Sequence, residues 1–158
     1  MEGRGYTLME ALITLGILSI LAVALGATLP STMASWSVRA AAEEIRSVLR
    51  LARAKAVHTF REYRVRFDAV DDTYCLEQGN RASRSTAWTP QGPCRKLPER
   101  VDLYKITMFK DKGVIFNTNG TVEGVNGAVY LEGRNGERFR VRILSATGNI
   151  VIQPESQW

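Results

Sequence analysis

A long stretch without charged side chains dominates the beginning of this sequence. No Asp, Glu, Lys or Arg occurs from residue 11 to residue 38. Drawn as a helix, residues 8–29 are apolar on all sides, and about 20 such residues are enough to cross a hydrocarbon layer. A core helix of a small soluble protein would keep a polar stripe, so a membrane anchor or a cleaved secretory signal fits better. The length of the run favours the anchor over the secretory signal.

The chain as a whole has the length and composition of one globular domain. The chain has 158 residues, of which 45% are hydrophobic and 23% charged, and its net charge is +5. This composition excludes collagen-like, low-complexity and wholly disordered proteins. The sequence therefore combines a membrane-type segment with one folded domain.

Glu10 is an acidic residue close to the start of the apolar run. A carboxylate within a membrane span is costly, so an acid at this position indicates a function. Arg4 and the amino terminus are the only basic groups before it, and the next basic residue, Arg39, lies beyond the run. We therefore expect the partner of Glu10 to be local or to belong to another chain.

The sequence begins MEGRGYTLMEALITLGILSILA. This start resembles the class III signal of type IV pilins and type II secretion pseudopilins. In that signal a short charged leader ends in Gly, and the mature chain has an aromatic or bulky apolar residue first, Thr-Leu next and Glu fifth. Here the leader is residues 1–5 and ends in Gly5, Tyr6 is the new first residue, and Glu10 is the fifth. The chain departs from the pattern at Tyr6, where Phe is more usual, and at Glu2, which reduces the positive charge of the leader.

The resemblance implies how this segment is processed and used. A membrane aspartyl peptidase would cut between Gly5 and Tyr6 and methylate the amine of Tyr6, which makes the chain a substrate and not an enzyme. In a filament, the carboxylate of Glu10 would pair with that amine on a neighbouring subunit, because an unpaired buried acid is costly. The alternative is that Glu10 reaches the lipid headgroups.

Residues 30–58 are predicted to form an amphipathic helix. Apolar residues recur at steps of three and four, which is typical of a helix face that packs on a core. They are Val38, Ala41, Ala42, Ile45, Val48, Leu49, Ala52 and Ala56. The opposite side carries arginines that include Arg46, Arg50 and Arg53. This basic face has three interpretations: a solvated surface, a contact for acidic subunits or lipid headgroups, or a contact for nucleic acid.

Residues 59–158 have the two-residue period of β-strands. Tyr63, Val65 and Phe67 alternate with charged residues, which predicts a half-buried strand. The other predicted strands are residues 73–77, 101–109, 113–116, 128–132, 138–144 and 149–153. The predicted connections are a turn at residues 69–72, an aperiodic loop at residues 79–98 and a type I′ turn at Asn135-Gly136.

A long helix followed by antiparallel strands predicts the α+β class. The segments AAEEIRSVLRLARAKAV, YRVRFD, VIFNTNGTVEG, AVYLEG and SATGNIVI resemble, in this order, those of the H-type pseudopilin and FimT/FimU-like minor pilin group. Phe116 and Gly120 match the Phe-x-x-x-Gly of that group, whereas Thr147-Gly148 is followed by Asn149 where arginine is frequent. The resemblance implies the type IV pilin fold, a long N-terminal helix packed on an antiparallel sheet. A generic antiparallel domain would give the same strands.

The resemblance also implies a division of the chain and a location. The parts are a leader peptide at residues 1–5, a transmembrane and filament-core helix at 6–29, an amphipathic helix at 30–58 and a β-rich periplasmic head at 59–158. The protein would cross the bacterial inner membrane once, with its head in the periplasm. Its partners would be the prepilin peptidase and methyltransferase, the other pilins or pseudopilins of a filament, and the inner membrane.

The sequence contains two cysteines, Cys75 and Cys94. If the head lies outside the cytoplasm, we expect a disulfide between them, and closing this loop would stabilise the head by about 3 kcal/mol. Two cysteines and the distant His58 do not supply the usual four ligands of zinc. No group orients a Cys–His nucleophile either. We therefore expect no metal, cofactor or catalytic site.

A second basic cluster comprises Arg134, Arg138, Arg140 and Arg142. In a strand the last three point to one face, and a row of guanidinium groups suits phosphates. FimT-like pilins in some natural-transformation systems bind DNA through arginines late in the head, so the resemblance makes this face a candidate contact for DNA or an acidic partner. The alternative is a solvated face, because aromatic stacking residues are not interleaved with these arginines.

The sequence thus predicts a minor pilin or pseudopilin. This is a structural subunit that assembles through its N-terminal helix into a type IV pilus or a type II secretion pseudopilus. The alternative is a DNA-binding minor pilin that acts in DNA uptake during natural transformation. Both filaments use the same N-terminal segment, so the sequence does not distinguish between them.

Overall fold

The computed structural model describes residues 7–26, 29–107 and 113–158. The chain divides into two compact units, residues 1–33 and residues 34–158, and we call the second the head unit. Helix α1 (Leu8–Gly26) belongs to the first unit. Helix α2 (Leu29–Thr59) begins in the first unit and supplies the helix of the second. No helix within the described ranges combines the length and the apolarity needed to cross a membrane.

Helix α1 begins immediately after Thr7. The backbone N–H of Glu10 donates to the carbonyl oxygen of Thr7 at 3.1 Å and to its hydroxyl at 3.3 Å, so Thr7 caps the helix. The hydroxyls of Thr14 and Ser19 donate to carbonyls one turn back, at 2.9 and 2.8 Å. Because the helix itself satisfies these hydroxyls, its outer surface stays apolar.

Helix α2 presents one apolar face to the core of the head unit. All eight residues of the predicted apolar stripe are buried, with relative exposures of 7% or less, which confirms the helical period. The helix ends at Thr59, and Phe60 follows with a φ of 52°. Glycine is the usual residue in this left-handed position, and a large side chain there is unfavourable.

Short antiparallel strands make up the rest of the described head unit. They are β1 (Tyr63–Asp68), β2 (Thr73–Gly79), β3 (Trp88–Pro90), β4 (Arg95–Lys96), β5 (Val101–Thr107), β6 (Gly113–Phe116), β7 (Gly127–Gly133), β8 (Arg138–Leu144) and β9 (Asn149–Pro154), and a 3-10 helix covers Glu155–Gln157. The first sheet has the order β3-β2-β1-β6, with β4 also paired to β2. The second sheet has the order β5-β7-β8-β9.

One hydrophobic cluster joins α2 to both sheets. It contains Ile45 and Leu49 of α2, Phe67 and Phe116 of the first sheet, and Leu131 of the second. Burial alternates along β1 and β8, as a strand with one core-facing side requires. The head unit is therefore α+β, with a long helix packed on antiparallel strands, as the sequence predicts.

The predicted strands are present with small shifts at their ends, although residues 108–109 lie outside the described part. The loop predicted at residues 79–98 is wrong in part, because it contains β3 and β4. Strands of three and two residues are too short to show a two-residue period. Pro90 is tolerated in β3 because this strand lies at the edge of its sheet.

The turn between β7 and β8 is not of type I′. That type requires a positive φ at both central residues, and of the two only Gly136 has one, at 77°. The N–H of Gly136 donates to the carbonyl of Gly133 at 2.8 Å, and the N–H of Gly133 donates to the carbonyl of Glu137 at 2.9 Å. The side chain of Asn135 accepts the N–H of Glu137 at 3.2 Å. The connection is therefore a tight turn followed by a left-handed glycine.

Candidate interaction surfaces

Glu10 lies in the first turn of α1. It stands three residues after the capping Thr7, where the positive end of the helix dipole favours a carboxylate. Gly5 and Tyr6, the predicted cleavage and methylation positions, lie outside the described residues. Within residues 7–26, no side chain pairs with the Glu10 carboxylate. Any partner of this carboxylate therefore lies outside residues 7–26.

The large apolar side chains of α1 are exposed. From residue 8 to residue 23 their relative exposures range from 52% for Leu21 to 81% for Leu8. Contiguous apolar surface of this extent marks a site that lipid or another protein covers.

The three predicted contact arginines of α2 have different surroundings. Arg46 pairs with Glu43 one turn earlier, at 3.4 Å. Arg50 is exposed on the helix surface. Arg53 is partly buried and donates its Nε–H to the carbonyl of Gly120 at 3.0 Å. Arg50 thus remains available to a partner, whereas Arg53 holds the helix against a loop.

Arg53 lies where two loops touch. Gly120 and Gly148 both have a positive φ, 81° and 62°. A Cβ on Gly148 would lie 2.2 Å from the carbonyl oxygen of Gly120 and 3.0 Å from Nε of Arg53. Gly120 belongs to the segment VIFNTNGTVEG and Gly148 to the segment SATGNIVI, which both carry the sequence resemblance. These two segments therefore meet at one point against α2.

Strand β8 presents the predicted arginine face. Phe139, Val141 and Ile143 are buried, so the three arginines that alternate with them share the outer side of the second sheet. Arg142 is exposed, as is Arg134 in the turn before β8. No residue in the described part of the chain pairs with the guanidinium groups of these two residues.

Arg138 and Arg140 differ in how far their charge is neutralised. Arg138 lies 3.0 Å from the carboxylate of Glu132 and 3.4 Å from that of Glu155. The hydrogen bond to Glu132 is the main cause that raises the pKa of Arg138. Arg140 instead donates its Nε–H to the neutral amide oxygen of Gln153 at 3.0 Å. Of the three arginines of β8, Arg140 and Arg142 therefore keep a charge that no carboxylate of the described residues neutralises.

Three aromatic rings lie on the same face as these arginines. The ring centroids of Tyr104 and Tyr130 are 5.9 Å apart, and those of Tyr130 and Trp158 are 5.4 Å apart. Cations lie over all three rings: Arg138 over Tyr104 at 5.4 Å, Lys105 over Tyr130 at 5.6 Å and Arg140 over Trp158 at 5.7 Å. The sequence argument for a solvated face, that aromatic stacking residues are not interleaved with these arginines, therefore does not hold for the folded sheet. The rings come from β5, β7 and the segment after β9, so no local spacing reveals them.

Cys75 and Cys94 form the expected disulfide, with their Cα atoms 4.4 Å apart. Cys75 lies in β2, and Cys94 directly precedes β4, which pairs with β2. The bond therefore fixes the end of the long β2–β4 segment to the sheet. Among the described residues, no group of His, Cys, Asp and Glu could hold a metal ion.

A polar cluster that the sequence did not reveal joins α2 to the first sheet. The hydroxyl of Tyr74 donates to the carboxylate of Glu44 at 2.6 Å, and Arg95 donates to the same oxygen at 3.2 Å. Burial, followed by the contact with Glu44, raises the pKa of Tyr74 above its ordinary range. The cluster ties β4 and β2 to the helix close to the disulfide.

Comparisons with solved structures place the fold among pilin-type domains. The minor pseudopilin EpsH from the type 2 secretion system of Vibrio cholerae aligns with 14% identity and a TM-score of 0.60, over 75% of this chain and 97% of that one. The type IV minor pilin FimU of Pseudomonas aeruginosa aligns with a TM-score of 0.53 in two crystal forms, at 18% and 23% identity. Each alignment covers 75% of this chain, and 90% and 94% of the FimU chains. At these identities the likeness establishes a shared fold.

A family model establishes more than the fold. A search of curated protein sequences gave no match. The model for the type II transport protein GspH, in contrast, matches residues 41–148, which is more than half of the chain. The matched range contains most of α2 and β1 to β8, including the junction of Arg53 with the two glycines. The chain therefore belongs to the GspH family of type II transport proteins and has the head fold that minor pseudopilins and minor pilins share.

Proposed function

We propose that this chain is a minor pilin or pseudopilin, a structural subunit of a type II secretion pseudopilus or a type IV pilus. The observation that carries the proposal is the combination of a GspH-family head with the N-terminal register of Gly5, Tyr6 and Glu10. Either feature alone is less specific. Together they describe a chain that a prepilin peptidase processes and that then joins a filament.

The apolar surface of α1 supports this role. Residues 6–29 anchor the subunit in the inner membrane before assembly, where lipid covers the exposed apolar side chains. In the filament, the helices of neighbouring subunits cover the same side chains. The head lies in the periplasm, a compartment in which the disulfide Cys75–Cys94 forms and persists.

Glu10 sets the register of the subunit. Cleavage after Gly5 creates a new ammonium group on Tyr6, and methylation keeps this group basic. In the filament, Glu10 pairs with the ammonium group of a neighbouring subunit, because an unpaired carboxylate in apolar surroundings is strongly unfavourable.

Replacing Glu10 with Ala tests this role. We expect the Glu10→Ala variant to be inserted in the membrane and cleaved normally, and to be absent from sheared or purified filaments. Membrane fractionation, mass spectrometry of the mature N-terminus and immunoblots of the filament fraction measure the three steps. Glu43→Ala, on the exposed side of α2, is the matched control and should assemble. Normal incorporation of the Glu10→Ala subunit would contradict the proposal.

A second candidate function is DNA binding, which the cation-covered aromatic rings of the second sheet favour. In this case, the head unit binds duplex DNA with an affinity that falls between about 50 and about 200 mM salt. Replacing Arg140 and Arg142 with Ala should weaken binding and reduce the salt slope by about 1 for each arginine. Arg138→Ala should change the salt slope less than these replacements do, because Glu132 and Glu155 already compete with phosphate for its guanidinium group. Equal effects of the two changes, or no salt slope, would count against DNA binding.

A further inference from the structure

Three exposed arginines lie together at one end of the first sheet. Arg61 follows the end of α2, and Arg81 and Arg84 belong to the loop after β2. The two segments are hydrogen-bonded to each other: the N–H of Glu62 donates to the carbonyl of Arg81 at 3.0 Å, and the N–H of Gly79 donates to the carbonyl of Glu62 at 2.7 Å. We call Arg61, Arg81 and Arg84, with the preceding Phe60, the arginine loop.

A buried carboxylate fixes the shape of the arginine loop. Glu62 has a relative exposure of 1%. Its two carboxylate oxygens accept the backbone N–H groups of Arg84 at 2.9 Å and Ser85 at 2.7 Å. Such charge-assisted bonds offset the cost of burying the acid, so the loop and the carboxylate depend on each other.

Further contacts hold the same loop. The side-chain oxygen of Asn80 accepts the N–H groups of Thr86 and Ala87 at 3.1 and 3.3 Å. Arg84 has a φ of 52°, a conformation that a non-glycine residue keeps only when its surroundings impose it. In the part of the chain that the structure describes, no group accepts a hydrogen bond from the guanidinium groups of Arg81 and Arg84. The loop thus presents unneutralised charges on a fixed backbone.

The composition of the arginine loop is that of a protein-binding surface. Phe60 directly precedes Arg61, and its side chain is 73% exposed. Its φ is positive. Lys occurs neither in residues 60–62 nor in residues 79–87. Cores of protein interfaces are enriched in aromatic residues and Arg and depleted of Lys.

We propose that the arginine loop docks a carboxylate-rich surface of another protein. Guanidinium groups bind carboxylates through two parallel hydrogen bonds, and the adjacent ring of Phe60 supplies apolar contact. Duplex DNA is the weaker alternative for this loop, because affinity for duplex DNA grows with the number of phosphates that cations neutralise, and the loop supplies three cations. Glu62 already occupies the backbone N–H groups of Arg84 and Ser85, so the side chains are what the loop offers. The proposal does not depend on which filament the subunit joins.

The test measures binding of a fluorescein-labelled peptide rich in Glu by the head unit, a compact unit with its own core. A variant with Arg61, Arg81 and Arg84 replaced by Ala should bind about tenfold more weakly or worse. The matched control replaces Arg39, Lys96 and Arg100, which are exposed elsewhere, and removes the same charge. It should change the affinity by less than about threefold. Equal losses in the two variants would show attraction to net charge alone and overturn the proposal.

Glu62→Gln separates a fixed loop from simple electrostatics. This change makes the surface more positive but removes an acceptor that holds the loop. We expect weaker peptide binding, whereas net charge alone predicts tighter binding. Thermal unfolding shows whether the variant is folded.

Arg84→Lys, which keeps the charge and loses the paired hydrogen bonds, should weaken binding in a chain of unchanged stability. Tighter binding by Glu62→Gln, or unchanged binding by Arg84→Lys, would refute the proposal. A loss of affinity for a duplex of about 20 base pairs that exceeds the loss for the peptide, in the variant lacking Arg61, Arg81 and Arg84, would refute it too.

Discussion

Gly148 has no room for a side chain. A Cβ would meet the carbonyl oxygen of Gly120 at 2.2 Å, on a residue whose φ is 62°. We expect Gly148→Ala to lower the free energy of unfolding of the head unit by at least about 3 kcal/mol, because backbone strain and a clash with backbone add together. Chemical denaturation measures this loss.

Gly136 provides the control for this prediction. Its φ is 77°, but nothing lies within 4 Å of a Cβ built on it. Gly136→Ala should therefore lower the free energy of unfolding by only about 1 to 2 kcal/mol, because alanine is less stable than glycine in a left-handed conformation. If both variants lose the same stability, the contact with Gly120 does not constrain Gly148.

Tyr74 should make the stability of the head depend on alkaline pH. Its folded-state pKa is raised above the ordinary value of 10.0, so its contribution is complete below pH 10 and is lost as the pH rises through the raised pKa. We expect Tyr74→Phe to cost about 1 kcal/mol at neutral pH, from the lost hydrogen bond to Glu44. Above pH 10, the variant should lose stability less steeply than the parent chain. Chemical denaturation at a series of pH values measures both stabilities. If they fall with the same slope above pH 10, this role of Tyr74 is contradicted.

Single residues were predictable from the sequence where a periodic pattern defined them. The apolar stripe of α2 is buried as predicted because a helix places residues three and four apart on one face. Glu62 and Glu77 gave no such signal, although both are buried. Glu77 lies between Arg64 and Arg66, and Glu62 lies beneath the arginine loop. Burial of such acids depends on partners from other segments, which a local pattern does not contain.

At the scale of elements, the disulfide holds the least regular part of the head. Of the residues between the end of β2 at Gly79 and Cys94, only the three residues of β3 pair with a strand of the sheet. We expect replacement of both cysteines by Ser to cost about 3 kcal/mol and to expose residues 80–94 to proteolysis. Denaturation and limited proteolysis measure these effects. Adding a reductant should destabilise the parent chain but not the variant. A variant as stable and as protease-resistant as the oxidised chain would contradict this role.

Strands were predictable in proportion to their length. Strands β1 and β8 show several alternations and were located correctly, whereas β3 and β4 are too short to repeat. The surface of the second sheet that carries the arginines of β8 was predicted only in part. The sequence predicted that the arginines of β8 share one side, but the rings beside them lie on β5, β7 and the C-terminal segment. Pairing between strands decides such neighbours, and one strand alone does not encode it.

At the scale of the whole molecule, the architecture was the most predictable property. An uncharged run, an amphipathic helix and alternating strands each have a distinct period, and their order along the chain indicates the α+β head. The surfaces that bind partners were harder to predict. The arginine loop joins residues 60–61 to residues 81–84, and the charge that remains on the second sheet depends on which arginines are already paired.

The junction of Arg53, Gly120 and Gly148 also bears on how far such chains can diverge. A core position tolerates exchange for another apolar residue of similar volume at a cost below about 1.5 kcal/mol. The junction constrains the chain differently, because it requires that a side chain be absent and that two backbones touch. The fold shared with EpsH and FimU at 14% and 23% identity shows that few residue identities are needed to keep it. For heads of this kind, matching residues position by position underestimates how closely two backbones follow each other.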